Sequence, residues 1–490
     1  MTNETFKDGQ HSGVAQTVVR RVILVNPPIV SDETDVSGSG IPHFPILLAS
    51  LNAYLISKGF KPEIIDLFGQ SPKTIVKRGH MLVHGSPISS LAGKISDDSV
   101  VFVYASFAFA HTINLDVIRQ IRSLGSARIY VVENTQSALG YDLSVFRESF
   151  MMAGATALLL GDAESQAMNA INNVPISDKR TRFSSIKDFP IPDWTGFPIE
   201  NYWSLPYAHA PKTDKKYMSI MTSRGCPGKC LFCSVGGMNN GIYRSRTASI
   251  VFKEIMQWYD MGIKEFHICD LNPTFDRKMW IEICFQLMLS NAKIKLRFAT
   301  GVKLETIDAE LMEKLLSAGC DFISFSPESG ADGVLTSVGK TFDYDHAIQM
   351  LKLIKGRAVT QACFIIGLPS ESCSDRDETL KYAIELAEAG LDEIALFNFT
   401  PMPGAKLYDD YEISTDKMTF SNDLWGNHIE EFKRTMLITF YLNKMIDSPF
   451  MTIGGFFRTK TWMTIKRIIL TKIYEKTGRG TSRGTTVGNC

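Results

Sequence analysis

The chain has 490 residues, 44% hydrophobic and 21% charged, with Lys plus Arg and Asp plus Glu equal at 52 each. That length predicts two or three domains, and the composition is that of a soluble globular protein. A zero net charge excludes a global field that would recruit nucleic acid or an acidic partner.

In chain order, a polar tail (1–19) comes first and lacks the apolar run of a secretory leader. "RRVILVNPPIV" (20–30) reads as a buried strand ended by Pro-Pro, and "PILLASLNAYLISKGF" (45–60) as a helix stopped at Gly59. "KPEIIDLF", "SVVFVYASF" (99–107), "ARIYVVEN" (127–134) and "ATALLLGDAE" (155–164) supply four more strands, with a helix at "TINLDVIRQIRSLG". Alternation of strands and helices predicts an α/β fold whose first domain, 20–175, is a Rossmann-like parallel sheet. The Pro- and aromatic-rich stretch 176–215 reads as an ordered strap between domains. A second alternating series then starts at "KYMSIMTSRG" (216–225). Its further strands are "KEFHICDL" (264–271), "IKLRFAT" (294–300), "DFISFSPES" (321–329), "VTQACFIIG" (359–367) and "EIALFNFT" (393–400). Six βα units over 216–405 predict a partial (β/α)6 TIM-type barrel, with its site at the carboxyl ends of the strands. Residues 406–490 read as a helical, basic C-terminal extension. The longest apolar runs, such as "ALLL" at 157–160, fall far short of a membrane span.

The first barrel strand runs directly into "SRGCPGKCLFCS" (223–234). Nine cysteines without framework spacing point to the reducing cytosol and a cytoplasmic protein, where three clustered thiols suggest a metal site. A structural zinc site needs a fourth ligand, and the nearest candidates, His267 and Cys269, lie a whole βα unit away. Three ligands, Cys226, Cys230 and Cys233, suit a cluster with one metal position left open for a reactive ligand.

The stretch "CPGKCLFC" at the end of a first barrel strand resembles the motif of the radical S-adenosylmethionine (SAM) superfamily. The resemblance implies that Cys226, Cys230 and Cys233 hold a 4Fe–4S cluster and that SAM chelates the open iron. "ICDLNPTFD" (268–276) resembles the segment that contacts the SAM amino group, which points to Asp270 and Asn272. "FSPESG" (325–330) resembles a Gly-x-Glu-Ser-Gly motif beside the SAM ribose and carboxylate; this assigns Ser326 (where glycine is commoner), Glu328 and Ser329. "IIGLPSE" (365–371) resembles the motif beside adenine, through Gly367 and Pro369, and "FTPMPGAKLY" (399–408) the motif after the sixth strand. Taken singly, Glu328 reads equally as a helix-capping group, Gly367 and Pro369 as turn residues, and Asp270 as a solvated loop acid. Their occurrence at successive strand ends, in family order, favours the SAM assignment.

"VILVNPP…FPILLASLNAYLISKGFKPEIIDLFG" and the strap "IPDWTGFPIENYW" resemble the cobalamin (B12)-binding domain that precedes many radical SAM barrels. There is no Asp-x-His-x-x-Gly to offer cobalt a histidine. "VVENTQS" (131–137) replaces the usual two glycines, so Glu133 and Asn134 are expected to intrude where the cofactor's nucleotide tail approaches the backbone. "LLLGDAES" (158–165) keeps Gly161 and Asp162. Retention of cobalamin stays open on these residues.

The resemblance implies reductive cleavage of SAM to a 5′-deoxyadenosyl radical that takes a hydrogen atom from a small-molecule or lipid substrate. An electron donor such as flavodoxin or ferredoxin would supply the cluster. With cobalamin, C-methylation is expected; without it, radical dehydration, rearrangement, epimerisation or C–C bond formation, the first domain serving as scaffold. Less favoured are a tRNA-modifying enzyme, which predicts a basic RNA-binding module, and a non-enzymatic iron–sulfur or zinc protein, which predicts loss of the SAM-contacting strand ends. No residue is assigned to catalysis on the substrate. Tyr243, Arg244 and Arg246 follow the cysteine loop, and the two arginines read either as an anion clamp or as surface charges. Cys269, Cys320, Cys363 and Cys373 read as buried small hydrophobes, Cys269 and Cys363 being nearest the site. "FFRTKTWMTIKRIIL" (456–470) reads as core or an interface, and its interspersed Lys and Arg also permit a weak membrane-surface or lipid-substrate contact.

Overall fold

The computed structural model describes residues 21–32, 40–137, 139–419, 422 and 424–447. Strands β1 (Arg21–Asn26), β2 (Glu63–Asp66), β3 (Ser99–Ala105), β4 (Arg128–Glu133) and β5 (Ala157–Leu159) form a parallel sheet in the order β2-β1-β3-β4-β5. Alternate residues of these strands feed two cores. Leu24, Phe102 and Val132 pack with helix α1 (Ile46–Ser57), whereas Ile23, Val101 and Val131 pack with helix α2 (His111–Ser123). Burial on both faces is why β3 reads as an unbroken apolar run. Nine residues of α1 are buried, because the strap covers the side turned away from the sheet. Gly59, at φ +88°, ends α1 in a left-handed conformation that a side chain would strain.

This strand order reverses between β1 and β3, which leaves a crevice at their carboxyl ends. The strap is pinned across that domain. Tyr202 stacks on Phe44 with ring centroids 4.7 Å apart, and its hydroxyl donates to Asp66 Oδ2 at 2.7 Å.

The second sheet is parallel throughout and in sequential order: β6 (Met218–Ile220), β7 (Glu265–Ile268), β8 (Lys295–Val302), β9 (Cys320–Glu328), β10 (Val359–Ile366) and β11 (Glu393–Asn398). Six parallel strands with intervening helices make the expected open, partial barrel, and β6 and β11 are its edges. Helix α3 (Asn427–Asp447) packs on β11 and on the helix Cys373–Ala389.

Three features depart from the expectations. Ile29–Asp32, Met81–His84 and Ile75–Arg78 form a small antiparallel sheet beside the first domain. Ser223–Arg224 pairs with Arg244–Ser245 and brackets the cysteine loop. Such short strands carry no readable periodicity. The expected helix after 406 begins only at Asn427, because "PMPGAKLYDDYE" is rich in turn residues; before it, a single 3-10 turn spans Thr415–Lys417. Residues 456–470 lie outside the described residues. Among the described residues no helix is long and apolar enough to cross a membrane.

Candidate active site

The cysteine loop leaves β6 through Gly225, at φ +86°; a Cβ there would lie 2.0 Å from the Ile242 carbonyl. Only glycine allows this close approach, which folds the loop back over the barrel mouth. Cys226, Cys230 and Cys233 are all free thiols. At Gly228, a Cβ would sit 3.3 Å from Cys226 Sγ and 4.0 Å from Cys230 Sγ, so the missing side chain keeps the space between two sulfurs clear. The loop is tied down by Leu231 N–H donating to the Val338 carbonyl at 2.9 Å and Leu407 N–H to the Leu231 carbonyl at 3.1 Å. Burial pushes all three thiols up, Cys233 to about 12, so a metal must displace protons to bind.

Among the described residues no three His, Cys, Asp or Glu side chains converge as ligands of one metal ion. An iron–sulfur cluster engages each thiolate through a different iron, and thiols spread along one loop around a glycine gap suit it.

All three cysteines line a cavity of about 1330 Å³ that runs from the barrel mouth to the carboxyl edge of the first sheet. Of the residues assigned to SAM, Asn272, Ser326 and Glu328 line it as well. Asn272 is buried and its Oδ1 has no hydrogen-bond partner within the protein. Glu328 sits at φ +67°, a strained conformation for a side-chain-bearing residue. Lys340 holds it there: Nζ donates to Glu328 Oε1 at 2.8 Å and to the Ser326 carbonyl at 2.6 Å. Burial works against the Lys340 charge, but Glu328, Cys230 and Glu305 together outweigh it and raise the ammonium pKa.

Asp270, Ser329, Gly367 and Pro369 do not line the cavity. Asp270 is no solvated loop acid. It is fully buried and accepts from Thr222 N–H at 2.8 Å and Ser223 Oγ at 2.6 Å, which anchors the start of the cysteine loop. Burial, opposed by those hydrogen bonds, raises its carboxyl to about 6. Ser329 shares a hydrogen bond with Thr379 Oγ1 at 3.1 Å. Gly367, at φ +85°, makes a turn against the Trp425 ring.

Arg244 and Arg246 are neither a clamp nor surface charges. Both are buried, Arg244 paired with Asp162 and Arg246 with Glu254 at 2.5 Å. Arg224, just before the cysteines, is buried too and reaches Glu164 at 2.7 Å and Asp162 at 3.2 Å. This cluster joins the end of the first sheet to the cysteine loop. Tyr243 donates to the Pro273 carbonyl at 3.4 Å, off the cavity. Cys269 and Cys363 line the cavity, whereas Cys320 is buried in β9 and Cys373 is exposed.

Across the cavity, Tyr104, Ser106, Asn134 and Gln136 present the first sheet's edge. Asn134 lines the cavity there while donating to the Ser106 carbonyl at 2.7 Å. Glu133 does not face the cavity. It turns back into the crevice between β4 and β5, accepting from Gly161 N–H at 2.9 Å and Arg180 at 2.8 Å. His267 also lines the cavity; it donates Nε2–H to Glu265 at 2.9 Å, and its buried Nδ1 has no hydrogen-bond partner.

Sequence reasoning missed Lys340, the Arg224 cluster, and Lys433 of α3, which lines the cavity while donating to Asn398 at 2.8 Å and Glu430 at 2.9 Å. A lysine between Gly339 and Thr341 offered a weak cue; the others offered none.

Residues 220–383 match the family model of the radical SAM superfamily. An uncharacterized methyltransferase of Pyrococcus horikoshii is 26% identical over 247 residues, 50% of each chain. The chain spans about half the length of the curated relatives it matches. Two solved structures share the fold. One is the radical S-adenosylmethionine methyltransferase TsrM of Kitasatospora setae with cobalamin and a [4Fe-4S] cluster bound (TM-score 0.58, 16% identity, 80% of this chain and 74% of that one). The other is the cobalamin-dependent S-adenosylmethionine radical enzyme OxsB with aqua-cobalamin and S-adenosylmethionine bound (TM-score 0.63, 14% identity, 95% of this chain and 72% of that one).

Proposed function

We propose that the chain, whose residues 220–383 match the radical SAM superfamily model, is a radical SAM enzyme that methylates carbon with the help of cobalamin. One observation carries the reading: a single cavity is walled by the cysteine loop, the barrel strand ends and the edge of the first sheet. A SAM-bearing cluster and a second cofactor on the first sheet would therefore face the same substrate. When bound, the cluster supplies the electron that cleaves SAM, and cobalamin carries the methyl group.

In this reading Cys226, Cys230 and Cys233 hold the cluster. Asn272 accepts from the SAM ammonium, and Lys340 fixes Glu328 and Ser326 beside the rest of SAM. Asp270 and Ser329 brace the loops behind them, and Gly367 with Pro369 shapes the turn after β10. The apolar walls, Phe107, Ile365 and Leu396 among them, exclude water from a reactive centre. The substrate is a small molecule or a lipid, and a one-electron donor protein reduces the cluster.

A second reading, radical chemistry without cobalamin, is favoured by Glu133. Its ion pair with Arg180 fills the crevice beside β4 with charge, where the resemblance implies a nucleotide tail. Anaerobic reconstitution with iron and sulfide, followed by reduction in the presence of SAM, tests both. 5′-Deoxyadenosine with S-adenosylhomocysteine, the latter formed only with added cobalamin, supports methylation. 5′-Deoxyadenosine alone, unchanged by cobalamin, supports the second reading, and neither product overturns both.

A further inference from the structure

Asn427, Glu430, Lys433, Arg434 and Leu437 of α3 all line the cavity. Their spacing places them on one face of the helix. That face is organised around Asn398, the last residue of β11. The Asn398 amide nitrogen donates to Glu430 Oε1 at 3.0 Å, and its oxygen accepts from Lys433 Nζ at 2.8 Å. Lys433 Nζ also donates to Glu430 Oε1 at 2.9 Å. Two of its three N–H groups are thus committed, and Lys433 is only 7% exposed, so the fold holds an ammonium at the cavity wall. Burial pushes the Glu430 carboxyl up, but Lys433, Asn398 and Arg434 outweigh it and hold it below its usual value. Glu430 stays charged and neutralises Lys433.

Charge around the rest of the wall is matched in the same way. The cavity is lined by five cations, Lys229, Lys303, Lys340, Lys433 and Arg434, and by three acids, Glu305, Glu328 and Glu430. Each acid has a lysine: Lys303 lies 4.0 Å from Glu305, Lys340 2.8 Å from Glu328 and Lys433 2.9 Å from Glu430. Lys229 stands between Cys226 and Cys230, where the thiolates of a bound cluster would supply its counter-charge. Arg434 is left over. Among the described residues it makes no hydrogen bond or ion pair, and Glu430, on the same helix face, is already engaged by Lys433. A lone surface arginine is ordinary. One beside a buried lysine on the wall of a large cavity offers a planar fork and a net positive charge, the arrangement that takes a carboxylate or phosphate through two parallel hydrogen bonds.

We propose that Arg434 and Lys433 form the subsite for an anionic oxygen group of the substrate, a carboxylate or a phosphate, whose apolar body packs on Ile365, Leu396 and Leu437. Those three apolar residues line the same cavity, from β10, β11 and α3. The subsite belongs to α3 and the end of β11, whereas the cysteine loop follows β6 at the other edge of the barrel sheet. An anion held on α3 leaves the cluster side of the cavity to SAM. In assigning the substrate's chemical class, the proposal rests on the radical SAM reading of this cavity, and its test reads the two separately.

The full chain, reconstituted anaerobically, is titrated by calorimetry with octanoate, octyl phosphate, octanol and octylamine. Either anion should bind at least about tenfold more tightly than octanol or octylamine, the value of one charge-assisted contact, and more weakly as salt is added. The tighter of the two anions identifies the group. Arg434→Gln, an exposed position where the fold is not at risk, should lose about tenfold in anion affinity and nothing in SAM affinity. Glu430→Gln should tighten the anion by about threefold, because it removes the opposing charge; damage to the fold would instead weaken it. Octanol binding as tightly as both anions, or anion affinity unchanged in Arg434→Gln, would overturn the proposal. So would an equal loss of SAM or cobalamin affinity in Arg434→Gln, which would give the subsite to a cofactor. SAM cleavage to 5′-deoxyadenosine is followed in the same preparation. Cleavage without anion preference would overturn the subsite alone, whereas anion preference without cleavage would overturn the radical reading and the substrate role with it.

Discussion

Arg224 and Glu164 meet through two hydrogen bonds, at 2.7 and 3.1 Å, with both side chains almost wholly buried. The pair ties the helix after β5 to the residue two places before Cys226. Burial works against the Arg224 charge, but Glu164 and Asp162 outweigh it and raise the guanidinium pKa. Removing one member of a buried pair leaves the other charge stranded, at a cost of about 3–5 kcal/mol. Arg224→Met should lower stability to urea by that amount, and Arg224→Met with Glu164→Leu by clearly less. Equal losses for the single and double variants would mean that the pair does not act as a unit.

The three loop thiols should be separable from the other cysteines by metal content. Alanine at Cys226, Cys230 or Cys233 should remove the iron and the brown absorbance after reconstitution. Cys269→Ala and Cys363→Ala, which change the cavity wall but not the loop, should retain both. Iron bound at wild-type levels by any of the loop variants would refute the ligand assignment.

Asn272 lines the cavity that the cysteines share, and its Oδ1 has no hydrogen-bond partner within the protein. Asn272→Ala should weaken SAM binding to the reconstituted protein by about tenfold, the value of one hydrogen bond to a charged donor, with iron content unchanged. Calorimetric titration with SAM measures it directly.

Glu265 sets an acid limit on the barrel. Burial pushes its carboxyl up, but the His267 hydrogen bond and the Arg297 charge outweigh it and hold the group at about 2, against 4.5 unfolded. A lowered carboxyl stabilises the fold above pH 4.5, and that contribution disappears as the pH falls from 4.5 through 2. Over that window wild type should lose on the order of 3 kcal/mol that Glu265→Gln, weaker at neutral pH, does not lose again. Parallel acid slopes for the two proteins would rule this out.

Much of the fold was legible in the residues. Each barrel strand is an apolar run closed by a turn, and all six appear where that pattern predicts. The paired strands Ser223–Arg224 and Arg244–Ser245 are too short to leave a pattern, yet they frame the cysteine loop. The site divides the same way. The close spacing of Cys226, Cys230 and Cys233 marks them as a candidate metal-binding loop. Asp270, by contrast, stands at the expected strand end but turns to Thr222 and Ser223, 48 and 47 residues earlier in the chain. Arg244 looks like a solvent-facing charge until Asp162, 82 residues away, is beside it.

Local sequence was enough for the βα alternation, the six-strand barrel and the three-thiol loop, because each depends on spacings of a few residues that backbone geometry converts directly into structure. Long-range packing chose which polar side chains face the cavity and which are spent on holding it open. Asn272 and Lys340 reach the site while Glu133, Arg224 and Asp270 are turned away from it. A buried charge goes where its counter-charge is, and no local spacing records a partner that the fold brings from dozens of residues away.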